Sequence, residues 1–176
     1  RVLIVEDDQV KAKALTEVVE AAGVASANIL VVPDAMGAKE TLKSRSFDVF
    51  IIDLRIPRRF GEGTEASGGP ELLRWFERRK EDPPEAILAV TSFEPETDTV
   101  TLLDEMGVVQ IRYRPGEDKW QRVVTGQLKR VLQRHAKTQG SSFSAAVDFV
   151  VLTSVEVEFK AVHRAFGLSG AGQLYD

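Results

Sequence analysis

The chain has 176 residues, 43% of them hydrophobic and 28% charged, with a formal net charge of −4 and no cysteine. That length holds one domain with a good core plus an appendage, and the absence of thiols excludes disulfide frameworks and thiolate metal sites. The negative balance speaks against nucleic acid as a partner. No apolar run approaches the roughly 20 residues that span a bilayer, and no signal-peptide pattern is present, so no membrane association and a cytoplasmic location are expected. The chain opens on Arg1 rather than Met and stops at Asp176 soon after a Gly-rich stretch, as a piece of a longer protein would.

Short apolar runs rich in β-branched residues alternate with helical patterns as far as about residue 136. Val2–Val5 predicts the first strand, followed by a helix with Val10, Ala14, Leu15, Val18, Val19 and Ala22 on its buried face, stopped by Gly23. Ile29–Val32 is the second strand, closed by Pro33, and Asp34 is placed to cap a helix with Ala35, Ala38 and Leu42 inward. Val49–Ile52 is the third strand. A polar loop over 55–69 carries four glycines, which suggest mobility, and two arginines, Arg58 and Arg59, directly after Pro57. Pro70 suits the first turn of a helix carrying Leu72, Leu73 and Phe76, broken by Pro83-Pro84. Residues 86–90 form the fourth strand, 95–106 a helix with Val100, Leu103 and Met106 inward, and 108–111 the fifth strand. The last helix of the series covers 120–135, with Val123, Val124, Leu128, Val131 and Leu132 periodic and Trp120 in the core. Its basic residues Lys129, Arg130 and Arg134 read as a solvated face. Strict alternation of this kind predicts an α/β, doubly wound parallel sheet of five strands with helices on both faces.

Residues 1–137 make up that domain. Residues 138–146 are rich in Ser, Thr, Gly and Gln and read as a linker. The pattern then restarts with a strand at 147–152 and a helix at 156–166, so 147–176 is expected to be a C-terminal β-α extension, the opening of a second domain or an arm.

Three polar strings follow directly on apolar runs: Glu6-Asp7-Asp8 after the first strand, Asp53 after the third, and Thr91-Ser92 after the fourth. In open parallel sheets ligands bind outside the carboxyl ends of the strands, so the three strings meet at one edge. Magnesium prefers oxygen donors and takes one or two carboxylates, and clustered acids repel unless something neutralises them. Each string has a plainer reading by itself. Glu6-Asp7-Asp8 would cap the next helix, Asp53 would start a loop, and the Thr91 hydroxyl would bond to backbone. The combination on one edge favours a site.

Val2-Leu3-Ile4-Val5-Glu6-Asp7-Asp8, Phe50-Ile51-Ile52-Asp53-Leu54-Arg55-Ile56-Pro57 and Ala89-Val90-Thr91-Ser92 together resemble the receiver domain of two-component response regulators, over about residues 1–136. The resemblance implies a flavodoxin-like sheet of order 2-1-3-4-5. It makes Asp53 the phosphoacceptor for a sensor histidine kinase or phosphotransfer protein. It also implies Mg2+ bound directly by Asp7, through water by Glu6, and by Asp53 and the backbone carbonyl of Arg55. Thr91 would then hydrogen-bond the phosphoryl group. The family also commonly dimerises through the face made by its last two helices and fifth strand.

Three departures stand out. The family has lysine where this chain has Arg114, before Pro115, and arginine differs from lysine in reach and geometry. The switch aromatic of strand five is replaced by Ile111, with Tyr113 beside the arginine. The 58–69 loop is long, and its arginines would cover the pocket, meet a partner, or simply be solvated. An alternative therefore stands: a pseudo-receiver that binds a protein partner without being phosphorylated, its pocket closed by Arg114 or the loop.

The segment 147–162 resembles the first strand and helix of the nucleoside phosphorylase and nucleosidase superfamily, which would make Glu158 an acid/base residue and the full protein a receiver controlling such an effector. Glu156 and Glu158 are equally read as favourable charges in a first helical turn. His135 and His163 have no partners at ligand spacing and are expected at the surface.

Overall fold

A computed structural model describes residues 1–62, 68–79 and 83–144, with side chains as far as Lys137. Each of the five apolar runs forms a strand: β1 (Val2–Val5), β2 (Ile29–Val32), β3 (Val49–Ile52), β4 (Ala86–Thr91) and β5 (Val109–Arg112). The helices between and after them are α1 (Gln9–Ala21), α2 (Ala35–Ser44), α3 (Gly68–Arg78), α4 (Thr97–Glu105) and α5 (Lys119–Ser144), with a short 3-10 turn at Ser26–Asn28. All pairings are parallel, in the order β2-β1-β3-β4-β5.

The runs of β1 and β3 and most of β4 are continuously apolar because both sheet faces are covered there. Alternation along the strands sends Val2, Ile4, Val49, Ile51, Leu88, Val90 and Ile111 to one face, under Leu15, Val18 and Val19 of α1 and Val124, Leu128 and Val131 of α5. Leu3, Val5, Phe50, Ile52, Ile87 and Ala89 face the other way, against α2, α3 and α4. Each fully buried aliphatic side chain contributes about 1.5–3 kcal/mol, so these two layers hold the sheet edge rigid. Val5 and Ile52 are partners at the ends of β1 and β3, and Ile52 is level with Ala89 of β4. The residues that follow therefore leave the sheet side by side.

Four features differ from the sequence expectation. The buried face of α1 holds Leu15, Val18, Val19 and Ala22 as expected but differs in its first turn, where Val10 is 78% exposed and Lys11 is buried in line with Leu15 and Val18. Asp8 fixes that phase by capping α1, accepting from the Val10 and Lys11 amides at 2.8 and 3.0 Å. Strand β5 lies one residue further along than expected, and Val123 and Leu132 of α5 are partly exposed. Gly68 and Gly69 are buried helical residues rather than loop residues. A Cβ on Gly69 would lie 2.6 Å from Leu54 Cα, so these glycines allow α3 to press on the backbone just after Asp53.

Helix α5 also continues to Ser144, across most of the expected linker. No proline interrupts it, and a glycine such as Gly140 costs a helix only about 1 kcal/mol. The sheet and its helices form one compact unit, Arg1–Ala136. The expected strand and helix of 147–176, including Glu158 and His163, lie outside the described residues. Among the described residues, no helix is long and apolar enough to cross a membrane.

Candidate functional site

The ladder carries on one residue past β1 and β3 and fixes the site's backbone. The Glu6 amide donates to Val32 O and the Asp53 amide to Val5 O, both at 3.0 Å, and the Tyr113 amide donates to Thr91 O at 2.9 Å. Glu6, Asp53 and Thr91 are all buried, Asp7 is half-buried and Arg55 is exposed. Sequence reasoning thus brought Glu6, Asp7, Asp53 and Thr91 to the correct edge.

Within the first string the three acids have three environments. Asp8 is the helix cap that the plainer reading proposed. The buried Glu6 accepts from the Asp8 amide through Oε1 at 3.1 Å. Its Oε2 is ion-paired with Lys11 Nζ at 2.7 Å. Burial pushes the Glu6 carboxyl up to about 7; Asp53 adds to the rise, while Lys11 opposes it. Asp7 is also raised, first by burial and then by Asp53 and Asp8, against the pull of its own backbone N–H and of Lys11.

Lys11 is the residue that sequence reasoning missed. Its ammonium lies 2.6 Å from Asp53 Oδ2, to which it donates, and its side chain is 5% exposed. The other Asp53 oxygen, Oδ1, accepts from the Arg55 amide at 3.1 Å. A signal was present in the chain. Lys11 shares the i, i+4, i+7 stripe of Leu15 and Val18, and a cation in a helix's first turn opposes the macrodipole unless acids compensate it.

Thr91 Oγ1 accepts from the Phe93 amide at 3.3 Å. At the rim, the Arg55 guanidinium lies 3.8 Å from the centre of the Phe93 ring. Arg114 is outside the pocket: its side chain is 63% exposed and its Nη1 lies 3.3 Å from Glu117 Oε1. Ile111 is core, and the aromatic nearest the site is Tyr113, whose ring centre is 5.3 Å from Lys11 Nζ and 4.9 Å from that of Trp120. Arg58 pairs with Glu71 in α3 at 2.5 Å. His135 is half-buried rather than fully exposed, 2.5 Å from Glu85 Oε1 and 3.7 Å from Asp48 Oδ1.

The donor set suits a hard divalent cation. Glu6, Asp7 and Asp53 offer oxygen ligands, and the described ammonium they share is that of Lys11, so a bound cation would relieve the crowding of like charges. Lys11 holds two of those carboxylates itself.

The model of the response regulator receiver domain family matches residues 2–113, well over half the chain. An uncharacterized protein of Sinorhizobium fredii, y4jS, is 38% identical over 93 residues, which is 52% of this chain but 22% of that protein's length. Similar solved structures include the Mn(2+)-bound form of the response regulator Rcp1, at 16% identity and a TM-score of 0.56, covering 71% of this chain and 88% of that one. A CheY-like receiver domain from Methylobacillus flagellatus has 20% identity and a TM-score of 0.54, covering 72% and 96%. A sensor protein from Polaromonas sp. JS666 has 23% identity and a TM-score of 0.56, covering 76% and 96%. At these identities the structural likeness is one of fold.

Proposed function

The chain belongs to the response regulator receiver domain family, and we propose that it accepts a phosphoryl group on Asp53 from a sensor histidine kinase or phosphotransfer protein, with Mg2+ at the same edge. The observation that carries this reading is the convergence of Asp53, Glu6 and Asp7 at the ends of β1 and β3, beside Thr91. In the transfer, an Asp53 carboxylate oxygen bonds to phosphorus while the P–N bond to the donor's imidazole breaks. The electron pair leaves with the ring nitrogen, and the product is an acyl phosphate. Such a step depends on positioning and charge more than on covalent chemistry.

Glu6, Asp7, Asp53 and the Arg55 carbonyl would hold Mg2+, which supplies charge neutralisation when bound. The bond from the Arg55 amide to Oδ1 orients the Asp53 carboxylate. A hydroxyl donates and accepts at once, so Thr91 can keep the Phe93 amide and direct its own proton toward a phosphoryl oxygen. The proposal extends to control of a C-terminal effector, nucleosidase-like by the sequence of 147–162, and to pairing with a second copy.

A second reading, the pseudo-receiver, is favoured by one observation: Lys11 already occupies the space between Glu6 and Asp53, ion-paired with both. Intact-mass spectrometry after incubation with Mg2+ and acetyl phosphate, beside Asp53→Asn, separates the two. A labile gain of one phosphoryl group absent from the control supports the receiver. No gain, with no Mg2+ binding by titration, supports the pseudo-receiver.

A further inference from the structure

We propose that Lys11, reaching in from α1, is the cation that contacts the phosphoryl group on Asp53, in place of Arg114; the inference rests on the phosphoacceptor reading above. Lys11 is the described cation that touches the nucleophile, with Nζ 2.6 Å from Asp53 Oδ2. Its position is fixed from both ends. Its amide is held by the Asp8 cap at 3.0 Å, and its stem passes through a buried stripe beside the Tyr113 ring.

Arg114, two residues past β5, is exposed and pairs with Glu117. Side chains alternate along an extended chain; Ile111 and Tyr113 are buried, while Arg112 and Arg114 are exposed. The bond from the Tyr113 amide to Thr91 O locks that phase.

With acetyl phosphate as donor, an Asp53 oxygen bonds to phosphorus, the P–O bond to acetate breaks, and its electron pair leaves with acetate. Lys11 keeps its proton throughout and offsets the charge gathering on the phosphoryl oxygens. Because the ammonium bridges Glu6 and Asp53 beforehand, it must cede Glu6 for a divalent ion to bind there. Removing it should therefore slow transfer without weakening the ion's binding.

The test uses the 176-residue chain as wild type, Lys11→Gln, Lys11→Arg and Arg114→Gln. Two quantities are measured: the phosphorylation rate by intact mass with acetyl phosphate and Mg2+, and the Mg2+ affinity by calorimetry without a donor. K11Q is expected to lose roughly 100-fold in rate, the size of losing one preorganised charge-stabilising donor. It should bind Mg2+ at least as tightly as wild type, K11R should recover part of the rate, and R114Q should stay within about twofold by the same criterion. A K11Q chain phosphorylated at the wild-type rate, or a hundredfold loss in R114Q instead, overturns the assignment while leaving the receiver reading intact. Loss of Mg2+ binding together with rate in K11Q also overturns it, because Lys11 would then only hold the pocket's shape. The R114Q arm stands even if K11Q does not fold. A wild type that takes no phosphoryl group overturns both readings.

Discussion

Replacing Lys11 by Met keeps most of the buried stem and deletes the charge. Glu6 and Asp53, both under a tenth exposed, then lose the ammonium that lies within 2.7 Å of each. Removing one partner of a buried ion pair costs about 3–5 kcal/mol, or on the order of 10–15 °C in Tm for a unit of this size. The penalty must depend on pH. Glu6 titrates at about 7 against an ordinary 4.5, and Lys11 is one of the groups holding it down, so the variant's Glu6 titrates higher still. A carboxyl raised above its unfolded value stabilises most below the unfolded pKa, and that contribution is lost as pH rises through the folded pKa. At pH 5 Glu6 is protonated in the folded variant and its share of the loss is small; that share grows as the pH rises through 7 and beyond. Urea unfolding of wild type and K11M at both pH values, with and without Mg2+, reads this directly. Mg2+ at a hundred times its Kd returns about 2.7 kcal/mol to either protein, and the variant reaches that saturation at lower concentration. A K11M chain within about 1 kcal/mol of wild type at pH 8 without Mg2+, well short of the loss expected for a buried pair, would refute the buried-bridge reasoning.

Glu6→Gln removes the raised carboxyl, so the decline in metal-free stability between pH 5 and 8 should flatten in urea titrations, and calorimetry should show weaker Mg2+ binding. Gly69→Ala puts a methyl 2.6–2.7 Å from Leu54 and Asp53 backbone atoms. Overpacking of that kind costs about 1–3 kcal/mol, and displacing Asp53 should slow phosphorylation by up to about a hundredfold, read by unfolding and intact mass. With Trp75→Phe leaving Trp120 as the sole tryptophan, Mg2+ should shift its emission, because Lys11 moves relative to the Tyr113 ring that packs, tilted, against it; unchanged emission at saturating Mg2+ would count against that movement.

How far the site could be read in advance depended on the range of the forces involved. β1 and β3 were readable to the residue because a strand covered on both faces must be apolar throughout, and the part-exposed edge strand β2 because Pro33 closes its apolar run. Once the ends of β1 and β3 were located, Glu6, Asp7 and Asp53 followed, and Thr91 came from the end of β4, read one residue short. β5 was read one residue early because Val108 and Ile111 are equally apolar; its phase is set across the ladder, where Arg112 pairs with Thr91. Gly68 and Gly69 were read as mobile because composition does not distinguish flexibility from close approach. The Leu54 backbone beneath them decides the matter. Lys11 is the sharpest case. Local hydrophobicity ranks Val10 above it for burial, yet Val10 is 78% exposed and Lys11 buried. The acid cap at Asp8 sets the helical phase, and a carboxylate 42 positions away repays the desolvation of the ammonium. Receiver chemistry needs a cation beside the acceptor but does not dictate which element supplies it. In this chain Arg114, two residues past β5, is exposed, and the ammonium found against Asp53 comes from the first turn of α1.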